Sequence, residues 1–215
     1  MSKITCSLCK QSGHNKRTCP VNDLKINQLT NEISKVDPYT ADALRDFLYD
    51  QKEHITKTNS ISKKHNITIP IRKANFPEHI SENIIKFIIH KLGDKTSTWN
   101  CGGDLLSKIE GKQECKCFTS NGPISFTPSS KWNCIYFLDA RAWLKDHYIL
   151  YRVPLTIDSE EWKNIKVNKN QTFEDQTKNG RRPRIGWNSL HPQIELYCHK
   201  VYEGTFESIF IEEMA

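Results

Sequence analysis

Two carboxylates and a lysine stand close together in the stretch Cys101 to Phe118, CGGDLLSKIEGKQECKCF. Leu105 to Ile109 reads as a short strand, Glu110-Gly111-Lys112 as a turn, and Gln113 to Phe118 as a second strand with side chains alternating in direction. Asp104 then stands at the start of one strand, while Glu114 and Lys116, two residues apart, project from one face of the other. Carboxylates held a few ångströms apart on rigid strands suit a hard divalent cation such as Mg2+, which keeps several waters and takes remaining ligands from a phosphate. Such an ion lowers the pKa of a bound water, and a lysine beside it orients the attacking hydroxide or stabilises the transition state. The chemistry that fits is phosphodiester hydrolysis, with the Cys115 carbonyl as a further ligand and the Cys115 and Cys117 side chains packed on the opposite face. A solvated hairpin face bearing ordinary surface charges is the competing reading.

A hairpin needs a sheet and a core to hold it. The chain has 215 residues, enough for one domain of ordinary size plus a small appendage. Hydrophobic residues at 37% and charged ones at 26% are the balance of a polar globular protein, and no apolar run approaches a membrane span. Ser81 to Leu92 reads as a strong helix capped by Ser81, with Ile84, Ile85, Ile88, Ile89 and Leu92 on its buried face. Trp132 to Leu138 is a nearly continuous apolar run and reads as a central strand; a helix over 140–145 and a strand over Tyr148 to Val153 follow. This alternation predicts an α/β architecture with a mixed central sheet flanked by helices. A helix starts at Thr40, residues 52–66 read as a polar linker, and a terminal strand pair turns about Glu203-Gly204. The expected divisions are residues 1–20, a helical extension and linker over 21–58, and the main domain over 59–215.

Residues 6 to 19, CSLCKQSGHNKRTC, space Cys6, Cys9, His14 and Cys19 as C-x2-C-x4-H-x4-C. Three thiolates and one imidazole complete a tetrahedral structural Zn2+ site with no open position. The module resembles a CCHC zinc knuckle, although Ser7 occupies the position after the first cysteine where a base-stacking aromatic usually stands. Lys16 and Arg17 still give it a phosphate-seeking surface, and a protein-binding knuckle is the alternative. The net charge of +6 favours an anionic partner. Unpaired cysteine usage fits a reducing, intracellular setting, cytoplasm or nucleus, and the N-terminus lacks the apolar core of a signal peptide.

The pattern Asp104-x9-Glu114-x-Lys116 resembles the PD-(D/E)xK nuclease superfamily, which includes most type II restriction endonucleases; Gly103 stands where the family name has proline. The runs KCFTSNGPISFTPSSKW, IYFLDA and GRRPRI look like a subgroup of small type II restriction enzymes. The resemblance implies a Mg2+-dependent endonuclease for double-stranded DNA, acting as a homodimer. It also makes Glu82 a fourth acidic candidate, on the helix before the hairpin; a carboxylate favoured by the helix dipole is the simpler account. Ser120 and Asn121, in the loop leaving the Lys116 strand, and Arg181, Arg182 and Arg184, in the densest basic cluster, are the candidate DNA contacts. A non-catalytic, zinc-containing nucleic-acid-binding protein is the alternative of different class.

Overall fold

A computed structural model describes residues 40–68, 76–100 and 103–211. The zinc-motif residues Cys6, Cys9, His14 and Cys19, together with Lys16 and Arg17, lie outside the described residues. The chain from Tyr39 onward is one compact unit.

Thr40 opens helix α1 (Ala41–Lys64) by accepting the Ala43 N–H at 3.1 Å, and Leu44, Leu48 and Ile55 form its buried stripe. This helix corrects the linker expected over 52–66. The hydroxyls of Thr56, Thr58 and Ser62 donate to carbonyl oxygens four residues back at 2.8, 2.8 and 3.0 Å. Side chains that usually compete with a helical backbone are thus satisfied within it, and their polarity belongs to a solvated face. Helix α2 (Glu78–Lys91) starts behind Pro77 rather than at Ser81. The Ser81 hydroxyl lies inside the helix and donates to the Glu78 carbonyl oxygen at 2.9 Å. Its five isoleucines, including Ile80, are buried as the periodicity requires, whereas Leu92, expected on that face, caps the helix end and is exposed.

The central sheet contains β1 (Thr98–Asn100), β2 (Gly103–Ser107), β3 (Gly111–Phe118), β5 (Cys134–Asp139), β6 (Tyr148–Val153) and β10 (His199–Gly204), in that order. The sheet is mixed: β3 and β5 run parallel while their neighbours pair antiparallel. β5 is buried along its whole length, as an apolar strand in the middle of a sheet must be. Cys115, Tyr136 and Leu138 join the apolar cluster that contains the α2 isoleucines. Phe118, Ile135 and Phe137 point the other way, into a cluster built on Phe126, Trp162 and Trp187. Every second residue of β3 therefore faces away from α2, and Glu114 and Lys116 share that face with Phe118.

Four local expectations change. The turn of the hairpin lies over 108–110, and Gly111 begins β3 at φ +73, where a Cβ would stand 2.6 Å from Asn133 Oδ1. The helix expected over 140–145 shrinks to a single 3-10 turn, Trp143–Lys145, because the Asp139 carboxylate accepts the Arg141 N–H at 3.1 Å and holds the preceding residues in a bend. The basic loop after Lys166 contains a small hairpin, β7 (Lys166–Asn168) with β8 (Gln171–Thr172), between helices α3 (Glu160–Lys163) and α4 (Phe173–Lys178). Beyond β10 no second strand forms among the described residues: Thr205 and Ser208 exchange hydrogen bonds at 3.0 and 3.2 Å and wind the chain into a 3-10 turn at Glu207–Ile209. Two further strands, β4 (Pro123–Ser125) and β9 (Arg184–Gly186), pair outside the main sheet, and β9 leads into helix α5 (Trp187–Ile194).

Candidate active site

The β2–β3 register runs Ser107 to Gly111, Leu106 to Lys112 and Leu105 to Gln113. One step further along the ladder Asp104 comes abreast of Glu114 on the same face. The regular pairing ends there, and the Cys115 N–H donates to the Asp104 carboxylate instead. Glu114 is nearly buried and forms an ion pair with Lys116 at 2.6 Å; the lysine side chain is 20% exposed. The hairpin thus brings Asp104, Glu114 and Lys116 together, and Glu82 of α2 lies within their electrostatic reach.

Burial, then the neighbouring Glu114 charge, pushes the Asp104 carboxyl up to about 6 against the partial relief of Lys116 and the Cys115 N–H. Burial and the Asp104 charge push Glu82 up to about 8. Burial pulls the Lys116 ammonium down, but the carboxylates of Glu114 and Asp104 outweigh it and hold the group above its ordinary range. Three acids facing one ammonium in a partly buried corner leave an excess of negative charge. That excess fits a hard divalent cation, which would relieve the repulsion among the oxygens that bind it. Among the described residues no three His, Cys, Asp or Glu side chains already stand as a metal cage. The residues present fit an ion held by two carboxylates and a carbonyl, with water and phosphate supplying the remainder.

The loop leaving β3 carries Ser120 and Asn121, both exposed. Pairing of β4 with β9 joins this loop to the basic segment, with Pro123 opposite Gly186 and Ser125 opposite Arg184. The Phe126 N–H donates to the Pro183 carbonyl oxygen at 3.0 Å and extends the join. Arg181, Arg182 and Arg184 are exposed on it. Two segments some sixty residues apart thus form one surface at the exit of the Lys116 strand. Sequence reasoning passed over a pair beside that surface, Asp139 and Arg141, which a charged residue closing an apolar run and an arginine two positions later could have suggested.

A mixed sheet that sets acids and a lysine next to a polar, basic rim belongs here to the restriction endonuclease class of DNA-cleaving hydrolases. The chain matches the Bsp6I restriction endonuclease family over residues 49–191, and it belongs to that family. It is 35% identical over 142 residues to the type II restriction enzyme Bsp6I of Bacillus sp. (strain RFL6), a stretch covering 60% of this chain and 78% of that enzyme. No solved structure matches the chain. The family match runs from α1 into α5 and includes every candidate active-site and loop residue, while the Cys/His motif lies before it.

Proposed function

We propose that the chain is a Mg2+-dependent, sequence-specific endonuclease for double-stranded DNA with an active site of the PD-(D/E)xK kind. The observation that supports this best is the meeting of Asp104, Glu114 and Lys116 on one hairpin, through the Cys115 N–H bond to Asp104 and the Glu114–Lys116 ion pair, with Glu82 within their electrostatic reach. Asp104 and Glu114, joined by the Cys115 carbonyl, would hold the ion, and Glu82 would reach it directly or through water. When bound, Mg2+ supplies a water of lowered pKa and neutralises charge on the scissile phosphate. Lys116 is held as a cation by Glu114 and Asp104, so it donates hydrogen bonds to a phosphate oxygen or the attacking water rather than accepting a proton. Phe118 and the buried strand β5 fix the backbone on which these side chains stand.

Arg181, Arg182 and Arg184, with Ser120 and Asn121, would contact DNA across the β4–β9 join, where guanidinium forks suit guanine edges and phosphates. A two-fold homodimer would set two such sites on the two strands of a duplex. Residues 1–20, with Cys6, Cys9, His14 and Cys19 on Zn2+ and Lys16 and Arg17 facing phosphate, would be an accessory targeting module. Incubation with plasmid DNA and Mg2+, with EDTA and Lys116→Ala as controls, tests the reading. Discrete Mg2+-dependent fragments lost in the variant are expected; intact plasmid across several DNAs would overturn it.

A further inference from the structure

Asp139 ends the buried strand β5, and its own side chain is only 6% exposed. Arg141 returns to it from two residues on: Nε donates to Oδ1 at 2.9 Å and Nη2 to Oδ2 at 2.6 Å. The guanidinium lies over the Phe118 ring, 5.4 Å from its centroid, and Phe118 is itself stacked on Trp187. A guanidinium tied to a buried carboxylate on one edge and to a packed ring on its face has little freedom to swing. Its remaining edge meets the recognition loop, where Nη1 donates to Oδ1 of Asn121 at 2.8 Å.

The chemistry of that last bond sets a direction. A guanidinium has donors and no acceptor, so the Asn121 atom turned towards it is the carbonyl oxygen. The amide is planar, and its NH2 group then points away from Arg141. An asparagine with both atoms available pairs bidentately with adenine, using oxygen as acceptor and nitrogen as donor. At Asn121 one of the oxygen's two lone pairs is taken by Arg141, and the oxygen is held turned towards it.

We infer that Arg141 is a positioning residue that fixes Asn121 with its amide NH2 towards DNA, so that Asn121 donates to an acceptor atom there. Acceptors in the major groove are purine N7, guanine O6 and thymine O4, and a phosphate oxygen offers the same chemistry from the backbone. Asn121 is exposed and lies in the loop that leaves the Lys116 strand. The inference rests on the endonuclease reading and on the placing of this loop against DNA.

The test uses the full chain and needs no cleavage. Wild type and Asn121→Asp are each bound in Ca2+ to randomised duplexes, and the enriched sites are sequenced. Aspartate has the same shape and keeps an oxygen for Arg141, but it turns an acceptor outward in place of a donor. Binding of the wild-type site is expected to fall by about tenfold or more, the usual effect of one wrong base contact, with the melting temperature kept. The wild-type site is then made with 7-deazapurine or methylphosphonate at single positions. One deazapurine that weakens wild type but not Asn121→Asp places the acceptor on a base; the same behaviour at one methylphosphonate places it on the backbone, and either supports a donor at Asn121. Equal affinity and the same enriched site for wild type and Asn121→Asp would overturn the inference. Failure of wild type to enrich any site would overturn the endonuclease reading with it, and is distinguishable because it appears without the variant. Arg141→Gln gives an independent readout: with the amide released, base preference at the position read by Asn121 should broaden. Unchanged base preference there would also count against the assignment.

Discussion

Replacing Asp104 by asparagine should stabilise the metal-free protein while abolishing cleavage. The carboxyl rises from its ordinary 3.8 to about 6, through burial and the Glu114 charge. At about 1.4 kcal/mol per tenfold in proton affinity, the ionised group costs about 3 kcal/mol at pH 8. Asparagine keeps an oxygen for the Cys115 N–H, and the preference of that N–H for the ionised carboxylate is already contained in the shift. The gain of about 3 kcal/mol corresponds to about 6–12 °C in a domain of this size.

The sign follows from proton binding. Between 3.8 and about 6 the folded protein holds a proton on Asp104 that the unfolded chain has lost. The Asp104 contribution to wild-type stability therefore falls as pH rises through this window and is level above it. The advantage of Asp104→Asn should be absent below pH 3.8, grow up to about 6 and stay constant to pH 8. Thermal melts in EDTA across this range measure it, and a parallel series in Mg2+ should reverse the order, since wild type alone gains by binding the ion. A variant that melts at or below wild type at pH 8 in EDTA, or that cuts DNA at the wild-type rate, would refute the reasoning.

The other expectations concern the same site and its supports. Lys116→Ala should reduce cleavage by a hundredfold or more, on the order of a lost transition-state donor, with DNA binding in Ca2+ retained in gel-shift assays. Because Asp104 and Glu82 must lose protons before binding a cation, Mg2+ affinity and cleavage at limiting Mg2+ should climb between pH 6 and 8, and Glu82→Gln should shift that rise to lower pH; calorimetry in buffers of different ionisation enthalpy reads the released protons. Glu110 accepts hydrogen bonds from Gln113, Tyr136 and Arg152, which outweigh its burial and hold its carboxyl below the ordinary value. Arg152→Ala should cost about 1–3 kcal/mol in denaturant melts near pH 7, and less as the pH falls through the Glu110 value and that carboxylate is protonated. Deleting residues 1–20 should leave plasmid cleavage intact and change the choice or affinity of sites in competition assays.

What the sequence displayed were the elements made by near neighbours. The alternation of Gln113 to Phe118 set Glu114 and Lys116 on one face, and the structure puts that face opposite α2. Tyr148 to Val153 forms the strand its pattern implies, and the α2 isoleucines are buried at helical spacing. Local polarity misled where side chains satisfied themselves, as in residues 52–66, whose hydroxyls bond back to their own helix. At the chain's end, Tyr202 OH donates to the Thr205 carbonyl oxygen and the Thr205–Ser208 exchange closes a turn, so a segment with strand-like apolar spacing becomes 3-10.

Long-range pairing left no local trace. Nothing around Ile124 announces that it faces Ile185, yet that pairing turns two polar loops into one surface. The same holds for Arg141. In the sequence it is one arginine among many; in the fold its carboxylate, its aromatic ring and its amide partner come from three places, β5, β3 and the loop beyond. On the proposed reading the acids and lysine sit on a rigid hairpin because their chemistry would require fixed separations, and that rigidity is what made them readable as a short motif. The contacts that would choose among DNA sequences sit on loops whose shape depends on partners about sixty residues away. A change in β9 or at Asp139 would therefore alter which duplex is bound without touching the hairpin proposed to cut it, and substitutions at Arg184 or Asp139 should move site choice before they move the rate of the chemical step.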